Sequence, residues 1–288
     1  AKKVMEGTGM DQMLEDYGVA IVDFNEGSTV SYPQGHTAKE FFLAKPVQET
    51  DALINLCKMK THALERVTGG VKNLYGCISG LHKAKGHTKY TNADIFARQL
   101  IDLNQLIKPR FCVMDGIVAM DGNGPTSGDP VKMKVLLLGN DPVAIDSVYC
   151  HLVHLDPQMV PTNVHGETMG LGTWREENIR LLTDGGEITM QEAVERFGNP
   201  DFNVDRKKQR GNLWNRFNNG FLRYFQKKPY IEEDKCKKCG ICVEACPVEG
   251  KALQFKNGRR KPPVYNYHKC IRCFCCQEMC PHKAIQVK

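Results

Sequence analysis

The chain contains no uncharged apolar run approaching the ~18 residues that a membrane-spanning helix needs. Its best run, Val135-Leu136-Leu137-Leu138, is far shorter, so no transmembrane segment is expected. No apolar stretch follows the lysines of Ala1-Lys2-Lys3-Val4, so the N-terminus does not read as a signal peptide. It carries no initiating methionine either, which reads as a processed or truncated product. The composition of disorder and that of collagen are both missing: hydrophobic residues make up 41% and charged residues 25% of the 288. A soluble globular protein is expected, and at about 150 residues per domain the length allows two domains.

A general excess of one charge is also absent. The formal net charge is +6, yet the segment from Asn203 to Lys228 alone carries eight Lys/Arg against one acid. The rest of the chain is close to neutral, so no surface that coats nucleic acid is expected.

Cysteine is what the chain has in quantity. Nine of its 13 cysteines fall between Cys236 and Cys280. Dense short spacings in an intracellular chain point to metal, whereas a disulfide scaffold spreads pairs through a small secreted fold. The remaining four, Cys57, Cys77, Cys112 and Cys150, read as buried reduced thiols in a reducing compartment, the cytoplasm of an anaerobe.

Two runs stand out: Cys236-x2-Cys239-x2-Cys242-x3-Cys246-Pro247 and Cys270-x2-Cys273-x2-Cys276-x3-Cys280-Pro281. Each matches the bacterial iron–sulfur run in which the fourth cysteine ligates the other cluster. Cys236, Cys239, Cys242 and Cys280 are thus expected to hold one 4Fe–4S cluster, and Cys270, Cys273, Cys276 and Cys246 the second. The runs repeat beyond their cysteines, since Ala252-Leu253-Gln254 answers Ala284-Ile285-Gln286 after each Cys-Pro. Zinc also takes four thiolates, so two zinc sites are the alternative. Cys275 breaks the repeat, standing where the first run has Ile241. It reads as a small buried side chain against the cluster, with a swapped ligand or a redox-active thiol as alternatives. The stretch resembles the two-cluster bacterial ferredoxins, and that resemblance implies one-electron transfer with a redox partner protein.

Upstream, short apolar runs alternate with helical ones. Val19 to Phe24, Ala52 to Leu56, Phe111 to Met114 and Val135 to Leu138 read as strands. Ala93 to Leu106 and Pro142 to Leu155 read as helices, the second capped by Asn140 or Asp141. Thr189-Met190-Gln191-Glu192 is a capping-box pattern opening a helix to Phe197. The expected fold class is therefore α/β, with a largely parallel, Rossmann-like sheet in a large domain and a small α+β ferredoxin-like two-cluster domain. The domains are placed at residues 1–202 and 230–288, with a basic aromatic linker at 203–229. In that linker Trp214, Phe217, Phe221 and Phe225 share one helical face. Packing on a domain, or docking to an acidic partner or an anionic membrane surface, would use it.

Two stretches of the large domain carry candidate chemistry. Asp115 to Pro125 follows a strand and is glycine-dense, so its backbone N–H groups can approach an anion, with Asp115 and Asn123 as binding candidates. Asp141 and Asp146 lie five apart at a helix start, where one can act as a cap. The other stretch holds Lys58, Lys60, His62, Gly69, Gly70, Lys72 and Asn73, then His82 and His87. The run from Lys60 through Lys72-Asn73, the Asp115 to Pro125 segment and the Asp141 to Asp146 segment together resemble the uncharacterised family called domain of unknown function 362. Its members often carry a ferredoxin module and usually have a further N-terminal stretch.

His62-x6-Gly69-Gly70-x-Lys72, with a later His87, also resembles the core signature of nickel-dependent lactate racemases. That resemblance implies Lys72 as the tether of a nickel pincer cofactor, His62 in acid–base catalysis and His87 as a nickel ligand. A small anionic ligand at Lys72, held with Gly69 and Gly70, is the simpler alternative. Three functions follow: electron transfer through two clusters, a hydride-transfer or isomerase-type enzyme built on Lys72, His62 and His87, or a scaffold module. The eight-cysteine pattern favours the first.

Overall fold

The computed structural model describes residues 5–7, 9–79, 82, 86, 89–90, 92–207, 227–256 and 258–288. Strands β1 (Gly27–Ser31) and β2 (Glu40–Ala44) pair antiparallel, with Gly27 opposite Ala44. The segment between them is tied to the Ala93–Ile107 helix, because the buried carboxylate of Asp102 accepts the N–H groups of His36, Thr37 and Ala38 at 2.8, 2.7 and 2.8 Å.

The main sheet contains β3 (Ile54–His62), β4 (Arg66–Thr68), β5 (Phe111–Asp121), β6 (Asp129–Val131) and β7 (Val135–Gly139). β3 and β5 run parallel, with Leu56 opposite Val113 and Lys58 opposite Asp115. Their connection passes through the Ala93–Ile107 helix, the kind of long crossover a parallel pair requires. β4 folds back on β3, while β6 and β7 share the other edge of β5, all antiparallel. The sheet is therefore mixed, which corrects the expectation of a largely parallel one. The reason lies in the connections: β5, β6 and β7 are joined by segments too short for a crossover, so each must return antiparallel.

Three further expectations change. Val19 to Phe24 is not a strand, and Val19, Ile21, Val22 and Phe24 are exposed. Apolar residues become a strand only when a neighbouring backbone supplies hydrogen-bond partners, and no described strand pairs with this segment. The Asp115 to Pro125 segment is strand as far as Asp121, so its loop begins only at Gly122. The strand expected at Ala52 to Leu56 starts at Ile54 and continues to His62.

The period of two along β3 sorts its side chains. Asn55, Cys57, Met59 and Thr61 face the helices, whereas Ile54 and Leu56 face outward, Leu56 at 70% exposure. Leu136 and Leu138 of β7 join them on the open face. On the covered face, Met59, Cys112, Met114, Ile145, Val148, Tyr149 and Leu152 form one core. A second core gathers Val71, Leu74, Tyr75, Phe96, Leu100, Ile101 and Leu103.

Caps explain the helix starts. The side chain of Asn92 accepts from Asp94 N and Ile95 N ahead of the Ala93–Ile107 helix. Asp141 caps the Pro142–Leu152 helix through Val143 N and Ala144 N; that helix stops at Leu152, short of the expected Leu155. Thr189 and Glu192 form the expected capping box of the Met190–Phe197 helix, which follows a hairpin of β8 (Leu181–Thr183) and β9 (Gly186–Ile188).

The linker helix expected around Trp214 and Phe225 lies outside the described residues, as does His87. In the cysteine-rich end, β10 (Pro229–Ile231) pairs with β13 (Ile285–Val287), and β11 (Leu253–Gln254) with β12 (Val264–Tyr265). Among the described residues no helix is long and apolar enough to cross a membrane.

Candidate functional site

The two cysteine runs share a backbone course. Lys238 and Gly240 in the first have positive φ of 58° and 90°, and Arg272 and Phe274, at the same offsets in the second, have 58° and 60°. Each turn leads into a four-residue helix, Ile241–Glu244 or Cys275–Glu278. Cys236, Cys239, Cys242 and Cys280 line one small hollow, together with residues that include Ile231, Ala284 and Ile285. Burial pushes the Cys242 thiol up to about 11, and Cys280, Cys236 and Cys239 add to the effect.

In the second set, burial pushes the Cys270 thiol up, with Cys273 and Cys246 adding to the effect, and does the same to Cys276, with Cys273, Cys270 and Cys242 adding to it. Backbone N–H groups reach a fourth sulfur in each half: Ala252 N to Cys246 Sγ at 3.3 Å and Ala284 N to Cys280 Sγ at 3.4 Å. Both alanines belong to the repeated segments that follow Cys-Pro. Soft thiols in an apolar wall suit iron–sulfur ligation.

The Cys275–Glu278 helix meets the large domain. Gln277 Nε2 donates to Asn123 O at 2.9 Å, Asn123 Oδ1 at 3.1 Å and Gly124 O at 3.1 Å. Asn123 Nδ2 returns a bond to Ile285 O at 2.9 Å, and Thr126 Oγ1 donates to Glu278 O at 2.8 Å. Asn123, a ligand candidate from the sequence, is thus engaged with the cysteine-rich end. Asp115 is engaged too, by Lys58 Nζ at 2.6 Å, and that ammonium helps hold its carboxyl below the usual range against the effect of burial.

His62 closes β3 at this junction. Its Nδ1 accepts the N–H groups of Leu64 and Glu65, both at 3.1 Å, so the ring proton sits on Nε2 and is donated to Glu278 Oε1 at 2.9 Å. Burial and the nearby Lys72 keep the ring neutral by lowering its pKa, against the pull of Glu278. Next to it, Glu65 is fully buried with neither carboxyl oxygen hydrogen-bonded. Burial pushes this carboxyl up to about 8, opposed by Lys72. The structure thus brings His62, Glu65 and Lys72 together.

Gly69 and Gly70 have a local task. Asp146, buried beneath them, accepts Gly70 N at 2.5 Å and Val71 N at 3.1 Å, capping the Gly70–Asn73 helix that presents Lys72. A Cβ at Gly69 would collide with Asp146 Oδ1 and the Met114 side chain. Burial pushes Asp146 up to about 7, although the two N–H donors work against it.

Reading the sequence missed Glu65, Tyr265, Gln277 and Glu278. One signal was available for Gln277, which stands where the first run has Val243. A polar residue replacing an apolar one in an internal repeat marks a face that meets something else.

Comparison with known proteins gives three matches. Residues 228–281 match the 4Fe-4S dicluster domain. The chain is 35% identical over 191 residues to the Thylakoid-associated protein sll1697 of Synechocystis sp., an overlap of 66% of this chain and 59% of that protein. The chain therefore spans about three fifths of the length of the curated relative it matches. Residues 1–151, just over half of the chain, match the Domain of unknown function (DUF362), and the protein belongs to that family.

Proposed function

We propose that this protein carries electrons through two 4Fe–4S clusters, to or from a site in the large domain or a redox partner docked beside it. Cys236, Cys239, Cys242 and Cys280 would hold one cluster, and Cys270, Cys273, Cys276 and Cys246 the other. When bound, such clusters supply one-electron storage. The observation that carries the reading is the junction: the helix bearing Cys276 also bears Gln277 and Glu278, which grip Asn123 and His62. A second-site ligand is thereby held against the large domain, with His62, Glu65 and Lys72 on the facing side. The match to a 4Fe-4S dicluster domain supports the reading. The four buried cysteines outside the runs, none of them in a disulfide, suit a reducing compartment such as the cytoplasm.

Protein purified without oxygen is expected to hold about eight irons and eight acid-labile sulfides, with a paramagnetic signal on reduction. Zinc in place of iron overturns the proposal.

A second reading has its own observation. On the open sheet face Lys58, Lys60, Asn73, Asp115 and Leu56 line a cleft of about 580 Å³, a volume typical of small-ligand sites. Burial lowers the Lys60 pKa, and Lys58 and Lys72 lower it further, so a small anion here would relieve the crowding of positive charge. Titration with a dicarboxylate should raise the thermal midpoint of the native protein but not that of Lys60→Ala; equal response of the two removes this reading.

A further inference from the structure

The two thiol sets differ in their hydrogen-bond donors. Among the described residues, the first set receives backbone N–H groups, Val243 N at Cys242 and Ala284 N at Cys280. The second set receives a side-chain donor as well. Tyr265 Oη lies 3.2 Å from Cys276 Sγ. A cysteine that ligates metal is a thiolate and can only accept, so the phenol O–H is the donor.

We infer that the Tyr265 hydroxyl raises the reduction potential of the second site. The inference rests on the two-cluster reading. Its physics is the stabilisation of added negative charge. Reduction makes the ligand sulfurs more electron-rich, and a hydrogen-bond donor aimed at them favours that state. Burial of Cys246, Cys270 and Cys276 works in the opposite sense, as does the Glu278 carboxylate near Cys273, and the Tyr265 hydrogen bond offsets part of both.

The test is a redox titration of the whole chain followed by electron paramagnetic resonance. Native protein should show two midpoints. Tyr265→Phe keeps the ring that stacks on Tyr267 at 5.3 Å and removes only the donor. It should lower one midpoint while the other holds, with a change of about tenfold in the reduced-to-oxidised ratio at fixed potential, about 59 mV for one electron. Tyr267→Phe, whose hydroxyl donates to Pro229 O, should move neither. Unchanged midpoints in Tyr265→Phe, or a rise of either one, overturn the inference while leaving the iron content as evidence for the clusters. Absence of iron instead removes the two-cluster reading itself.

Discussion

His62 and Glu278 stand 216 residues apart in the chain and 2.9 Å apart in the fold. The imidazole is oriented from behind by two backbone N–H groups, so its one proton can point only at the Glu278 carboxylate. This bond joins the end of β3 to the helix that follows Cys273. His62→Ala would leave the buried N–H groups of Leu64 and Glu65 and the Glu278 carboxylate without this partner. The expected cost is about 2 kcal/mol, read as a fall of a few degrees in thermal midpoint. His62→Gln should recover part of it by restoring a donor.

Glu65 makes stability depend on pH. Its folded pKa of about 8 is raised above the ordinary 4.5, so the folded state holds a proton that the unfolded chain releases. Its contribution is complete below pH 4.5 and is lost as pH rises through 8, at about 1.4 kcal/mol per pH unit between those limits. Asp146, at about 7 against an ordinary 3.8, acts with the same sign. Urea unfolding at pH 5, 7 and 9 should show a steep decline in the native protein and a shallower one in Glu65→Gln. Parallel slopes would show that Glu65 does not hold that proton.

Gly69 is expected to resist the smallest enlargement. Gly69→Ala drives a methyl into Asp146 and Met114, and overpacking of this kind costs about 1–3 kcal/mol. It should also loosen the cap that presents Lys72, visible as faster amide exchange at Gly70 and Val71. Gly76 has open space around the same added atom, and Gly76→Ala should leave both readouts near their native values.

Gln277 should govern how firmly the two halves hold together. Replacing it by the residue of the first run, Gln277→Val, removes a donor shared among three acceptors at Asn123 and Gly124. Amide exchange from Asn123 to Thr126 and at Val287 is expected to quicken, with bound iron unchanged. Loss of iron together with the protection would mean that Gln277 supports the cysteine site itself.

Local chemistry was legible before any fold was known. The two cysteine runs declare themselves because a chain must curl tightly to bring three thiols to one centre. The Thr189 box and the Asp141 cap were readable for a similar reason, since each satisfies backbone groups two or three residues away. Asp146 shows where that reasoning stops. Its carboxylate lies in the helix that Asp141 caps, yet it bonds Gly70 and Val71, 76 and 75 residues upstream. Val19 to Phe24 fails in a related way, because its composition suits a strand but a strand is a relation between two segments.

The order of residues alone determined which thiols are spaced as metal ligands, where helices begin and which face of β3 is apolar. These depend on covalent spacing and on hydrogen bonds that close within a few residues. Only the tertiary structure decided that the sheet is mixed, that Asn123 serves as a clasp, and that His62, Glu65 and Lys72 gather beside the second cysteine site. Those outcomes depend on burial and on bonds between groups far apart in the chain, and no spacing along a sequence encodes which distant group will arrive to share a proton.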